Sequence, residues 1–306
     1  MKREIATVFA PGSIGNVGPG FDVLGMAIEG FGDTVTVELT TGADVPVTVR
    51  GRDAELIPTD PQKNAAAIAA KAMLQRYGRS RSAIVTIEKG LPVSGGLGGS
   101  AASSVAGAYA AGLASGDPIT PEQIMTAALE GEMFVSGRHL DNIAPITLGG
   151  LVLSRSIDPI DVVPLAVPQN WSVALLTPAV RIETKKARAI LPEQWDRASW
   201  IQQMANTAAL IAAFAAGDGA LARRALDDRY AEPRRSPMIP HFDEVKRAAL
   251  DAGAYGCSIS GSGPTIFAIV ETPTGDRCAQ AMRRAMGDVA CEVRIAGIAR
   301  KGAHAV

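Results

Sequence analysis

Cysteine is scarce in this 306-residue chain: three residues, an odd number at no ligand-like spacing, which supplies neither a disulfide framework nor a metal knot. Histidine also numbers three, and aromatic residues make up only 5%. No sign of charge is in excess, since 30 Lys and Arg stand against 31 Asp and Glu. A protein that grips a nucleic acid by bulk charge carries a clear basic surplus, so that class is excluded. Disorder is excluded as well, because 47% of the residues are apolar. No uninterrupted apolar run approaches the roughly 18 residues of a membrane span. The opening MKREIATVFAPGS lacks the apolar stretch of a signal peptide. These absences predict a soluble, cytoplasmic protein with neither a membrane nor a nucleic acid as partner.

What is present is glycine, 32 residues of it, and long Ala-rich stretches. Ala is the best helix former and Gly nearly the worst, so the two are expected to partition into helices and loops. Short strands are predicted at 5–9, 34–40, 45–49 and 83–88, with Ala-rich helices at 64–76, 100–115 and 121–136. Beyond Gly149–Gly150 the strands 151–154, 162–167 and 171–178 precede helices at 184–190, 197–216, 218–229 and 241–252. CSIS and TIFAIV flank a Gly-Ser-Gly-Pro turn, and a helix at 275–286 and a strand near 291–299 close the chain. Strands and helices alternate throughout, which predicts a mixed α/β or α+β class. At about 150 residues per domain, the length suggests two domains, divided near residue 150.

The most informative segment is KGLPVSGGLGGSAASSV (89–105). It sets Gly95, Gly96, Gly98 and Gly99 between a strand and a helix that opens near Ser100. Glycines bring consecutive N–H groups close to a ligand, and a helix N-terminus adds unsatisfied donors, so the segment suits a phosphate. The plainer reading is a strand-to-helix turn with Ser100 as its cap. It is not a Walker A loop, which needs a following lysine, nor a dinucleotide fingerprint, and the protein-kinase signatures are absent. APGSIGNVGPGFDVLG (10–25) and GCSISGSGPTIF (256–267) are two further glycine-rich segments, by themselves a tight connection and a hairpin. The stretch EGEMFVSGRHLDNIAP collects Glu130, Glu132, Arg138, His139, Asp141 and Asn142. Glu130 and Glu132, two apart on a helix, face different ways. Of the other histidines, His241 starts a helix and His304 falls in the C-terminal tail.

In this order the segments resemble the GHMP kinase superfamily of small-molecule kinases, and within it the homoserine kinase family. Pro92 to Ala102 with GLGGSAA is similar to its central motif, GCSISGSGPT to its closing one. SIGNVGPGFDVLG, H-x-D-N-x-A-P at His139–Pro145, TKKARAILP (184–192) and EPRRSPMIPHF (232–242) match blocks of the same family. The resemblance implies an α+β fold: an N-terminal α/β domain (1–150) and a ferredoxin-like domain (151–306) with the site between them, the last strand returning to the first domain. It implies phosphorylation of the L-homoserine hydroxyl by ATP on the route to threonine, with Mg²⁺, and a homodimer. Residue by residue, Pro92, Ser94, Gly95, Gly96, Leu97, Gly98, Gly99, Ser100, Ala101 and Ala102 match the ATP loop, and Asn64 matches an adenine contact. Ser100 and Glu132, rather than Glu130, match the metal ligands. Asn16, Asp22, His139, Arg188 and Arg235 match positions that hold homoserine. Asn142 stands where other superfamily members place a catalytic aspartate, which implies transfer without a dedicated protein base and Asp22 as an orienting anion. Homoserine is a zwitterion, so Asp22 suits its ammonium, and Arg188 and Arg235 its carboxylate. Two departures from the family stand out: Gly99 replaces a serine, and Ile14 and Gly15 replace the usual small Ala spacing before Asn16.

Overall fold

The alternating run TVTVELT does pair as a strand, but in the computed structural model it is only the second half of a 17-residue strand, β2 (Leu24–Thr40). The structure describes residues 4–41, 46–77, 82–116 and 118–306. Residue 45 and the expected helix end at Gly78 lie outside them. β1 (Ile5–Gly15) runs on through the APGSIG segment expected to be a turn. It stays paired with β2 because a bulge between Pro11 and Gly12 absorbs the proline, which has no N–H to give.

β3 (Val47–Gly51), β4 (Ser82–Lys89), β5 (Leu151–Ile157), β6 (Ile160–Leu165) and β11 (His304–Ala305) join β1 and β2 in a seven-stranded sheet. The strand containing His304 pairs with β1, so that histidine is not in a loose tail. β5 pairs with β2, and β6 with β5. The passage from the first sheet to the second falls between Leu165 and Trp171, because β5 takes the edge of β2 opposite β1. The second sheet runs β10-β7-β9-β8 and is antiparallel throughout: β7 (Trp171–Pro178), β8 (Gly256–Ile259), β9 (Ile266–Glu271) and β10 (Cys291–Gly297). β7 is apolar on both faces for a reason. Trp171, Val173 and Leu175 enter the core shared with the first sheet, while Ala174 and Leu176 enter a second core under helices α9 (Phe242–Asp251) and α10 (Gly275–Ala285).

Three Ala-rich helices, α1 (Ala65–Tyr77), α2 (Gly99–Ser115) and α3 (Pro121–Val135), pack on one another beside the first sheet. Glycine does not keep to loops here. A Cβ on Gly107 would lie 2.5 Å from the Ala66 carbonyl oxygen, and one on Gly131 2.5 Å from that of Ala65. Both glycines sit mid-helix because backbone meets backbone there, which outweighs their poor propensity. The remaining helices are α4 (Ile143–Leu148), α5 (Thr184–Ala189), α6 (Arg197–Ala216), α7 (Gly219–Ala225) and α8 (Glu232–Arg235). The helix expected over 218–229 stops at Ala225, and the short α4 carried no periodic signal. Among the described residues, no helix is long and apolar enough to cross a membrane.

Candidate active site

The loop between β4 and α2 lines a cavity of about 270 Å³ that also takes residues from β1–β2, α3, α5, α8 and the β8–β9 turn. Left-handed backbone at Ser94 (φ 55°), Gly96 (φ 78°) and Gly98 (φ 67°) coils the loop before the helix starts. Gly98, not Ser100, is the N-cap, and no side chain caps α2, so the first-turn N–H groups are unclaimed by a cap. The β8–β9 turn pins the loop from the far side. Ser260 Oγ donates to the Gly96 carbonyl and Thr265 Oγ1 to that of Gly95, both at 2.5 Å. The segment that reads by itself as a mere hairpin is thus a wall of the site. Leu97, Ala101 and Ala102 do not line the cavity. They are buried in the apolar core, as side chains with no polar atom are driven to be.

Glu132 on α3 reaches the cavity opposite Ser100, whereas Glu130 points away and pairs with Arg76 at 2.7 Å. Ser136 Oγ donates to Glu132 Oε2 at 2.6 Å, and buried Oε1 has no hydrogen-bond partner among the described residues. Burial pushes the Glu132 carboxyl up, against the opposing pull of the Ser136 and Ser100 hydroxyls. Asn64 lines the cavity with its amide engaged: Oδ1 accepts from the Ala67 N–H at 3.1 Å and Nδ2 donates to the Pro58 carbonyl at 2.8 Å. It therefore also caps α1.

At the other end lie the polar residues of the 10–25 segment. Asn16 (φ 65°), Val17 (φ 47°) and Asp22 (φ 58°) are all left-handed, a costly conformation for Val in particular. Asn16 holds this turn together: Oδ1 accepts from the Asp22 N–H at 3.0 Å, and Nδ2 donates to the Gly261 carbonyl at 3.1 Å. Gly15 explains the departure before it, since a Cβ there would lie 2.6 Å from Asp141 Oδ2. Asp22 and Arg188 hold each other in a bidentate pair, Nη2–Oδ1 at 2.7 Å and Nη1–Oδ2 at 2.9 Å. The pair raises the Arg188 pKa further. Arg235 is 3% exposed and, among the described residues, donates only to carbonyls, Ala187 at 3.0 Å and Gly261 at 2.8 Å. Burial lowers its pKa, and Arg188 adds to that. Phe21 stacks under both guanidiniums, at 5.3 Å from Arg188 and 5.5 Å from Arg235. Arg234 turns instead to the Arg229 and Tyr230 carbonyls.

His139 Nδ1 lies 2.9 Å from Asp141 Oδ1. Burial alone would lower its pKa, but the hydrogen bond and charge of Asp141 override this and hold it at about 9. Asn142, at the start of α4, accepts from Ser13 Oγ at 2.8 Å and donates to Asp141 at 3.3 Å. Asp141, Lys89, Ser103 and Thr184 also line the cavity; the sequence placed Asp141 in its polar cluster without giving it a role and passed over the other three. Asp141 was visible in the H-x-D-N element; the others carry no local signal.

Family models match in both halves of the chain: "GHMP kinases N terminal domain" over residues 64–150 and "GHMP kinases C terminal" over 210–288. The homoserine kinase of Chloroherpeton thalassium is 39% identical over 97% of this chain and 98% of its own length. That of Pyrococcus abyssi is 42% identical over 89% and 88%. The crystal structure of homoserine kinase from Cytophaga hutchinsonii superposes with a TM-score of 0.94 at 38% identity, covering 100% of this chain and 98% of that one. The chain belongs to the GHMP kinases and, within them, to the homoserine kinase family.

Proposed function

We propose that this chain transfers the terminal phosphoryl group of ATP to the hydroxyl of L-homoserine, giving O-phospho-L-homoserine. One observation carries the reading. A glycine loop at a helix N-terminus shares a single cavity with the Asp22 carboxylate and the Arg188 and Arg235 guanidiniums, which stand together away from Glu132. Loop N–H groups suit phosphates, and the dipolar end suits a zwitterion. Because Asp22 and Arg188 hold each other, a zwitterion exchanges one ion pair for two. A hydroxy acid without an ammonium, such as mevalonate, leaves Asp22 without a cation.

The donors near the loop fit Mg²⁺: an unpartnered, buried carboxylate oxygen of Glu132 beside the Ser100 hydroxyl, all oxygen and no sulfur or imidazole. Glu132 and Ser100 would hold the ion, and its charge would offset that of the phosphates. The loop from Ser94 to Ser100 cradles the phosphates through its backbone, which lets Gly99 stand in for serine. Arg188 and Arg235 take the substrate carboxylate and Asp22 its ammonium, while Asn16 keeps their turn in shape. His139, raised to about 9, is a cation near neutral pH and donates rather than accepts a proton. Asp141 is occupied by His139 and by the Asn16 N–H, and Asn142 has no basic form. Transfer therefore runs on alignment and charge stabilisation, with the hydroxyl proton leaving late to a phosphoryl oxygen.

Coupled ADP release with ATP and Mg²⁺ across L-homoserine, L-serine, L-threonine and mevalonate tests the proposal. Homoserine is expected to have the highest kcat/KM of the four. No turnover with it, or a preference for mevalonate, overturns the reading.

A further inference from the structure

We propose that Asp33 and Lys89 are positioning residues that clamp both ends of the nucleotide loop; the inference rests on the phosphate-cradle reading of that loop. Lys89 ends β4 and is 7% exposed, and its ammonium faces Asp33, which is fully buried. Lys89 Nζ also donates to the Gly99 carbonyl at 3.0 Å and to Ser103 Oγ at 3.1 Å. Asp33 Oδ1 accepts the N–H groups of Gly90 (3.1 Å) and Leu91 (3.2 Å), where the loop begins. Its Oδ2 accepts from Ser103 Oγ at 2.8 Å, in the first turns of α2. One carboxylate therefore ties down the residues where the loop begins directly, and the first residue of α2, where the loop ends, through the lysine.

The tie at Gly99 has a consequence for the donors. A trans peptide is planar, so fixing the direction of the Gly99 carbonyl fixes the Ser100 N–H in the opposite direction. That N–H is one of the orphan donors of the α2 first turn. Gly99 also removes the hydroxyl that the family carries there. A Cβ at this position would lie 3.5 Å from both Lys89 Nζ and the Pro92 carbonyl oxygen. The buried lysine thus supplies the nearest side-chain polar group to the point where this chain departs from its family.

Lys89→Met alone leaves a buried carboxylate without its cation, which by itself can unfold a protein. The decisive protein is the double variant Asp33→Asn/Lys89→Met. It removes both charges yet keeps an amide oxygen for the Gly90 and Leu91 N–H groups. Isothermal titration with ADP, steady-state kinetics with ATP and homoserine, and a thermal melt are measured on it and on the wild type. The melt is expected to stay cooperative, the ADP Kd and the ATP KM to rise about tenfold, the worth of a lost charge-assisted hydrogen bond, and the homoserine KM to stay within about twofold. Unchanged nucleotide affinity in the double variant overturns the clamp. So does an equal loss of affinity for ADP and homoserine, or loss of the cooperative melt, because the pair then serves the domain and not the loop. A wild type that binds no ADP overturns the cradle reading itself, and the clamp with it.

Discussion

Arg235 and Glu132 share a physical condition: each is a charged group taken out of water with an incomplete set of partners. Arg235 has carbonyls but no carboxylate among the described residues, and Glu132 keeps one oxygen unpartnered. Such groups are costly in a resting fold, and both are relieved by an opposite charge. Arg235→Leu is expected to raise the homoserine KM by about 10- to 100-fold, the range for hydrogen bonds to a charged group, with the ATP KM nearly unchanged. A matching rise in the ATP KM would assign the residue to the nucleotide end. Glu132→Gln is expected to lower kcat by about 100-fold, the scale of one preorganised charge contact. Glu130→Gln loses only an exposed ion pair with Arg76 and should leave kcat alone, which the same assay reads.

At the scale of the element, glycine does two different jobs in the one loop. Gly96 is left-handed, and a Cβ there would lie 2.6 Å from the Ser260 carbonyl oxygen and 2.8 Å from that of Gly263. Gly96→Ala is expected to cost about 2 kcal/mol or more, seen as a fall in Tm of at least about 4 °C. At Gly99 nothing comes nearer than 3.5 Å, so Gly99→Ser should leave Tm within about 1 °C and nucleotide affinity equal or better, as calorimetry would report. The loop's existence was legible in the sequence, from its position between a strand and an Ala-rich helix. Which glycines are obligatory was not, because Ser260 and Gly263 lie over 160 residues away along the chain. Likewise β1 read as ending at residue 9. Local propensity sees Pro and Gly in APGSIG, whereas pairing to β2 and the bulge at Pro11 keep it extended.

For the whole molecule, the buried His139–Asp141 pair couples stability to pH. His139 titrates at about 9 in the fold, against about 6.5 in an unfolded chain. A raised pKa means the folded state holds the proton more tightly. The stabilisation is therefore complete below about pH 6.5 and is lost as pH rises through 9. It amounts to about 3 kcal/mol, so denaturant unfolding should show stability falling over that window, and His139→Gln should flatten the fall. A slope unchanged by the substitution would place the proton elsewhere.

Residue types and their order along the chain set the chemistry on offer. Periodicity marked most strands and helices, and six ordered motifs pointed to one family of kinases. Tertiary structure alone decided which groups meet. It brought Asp22 to Arg188 across 166 residues, tied Gly95 and Gly96 to the β8–β9 turn, sent Leu97, Ala101 and Ala102 into the core, and set Lys89 on Asp33. These pairings depend on sheet register, helix approach and burial. Those arise from the packing of distant segments, and no local pattern encodes them.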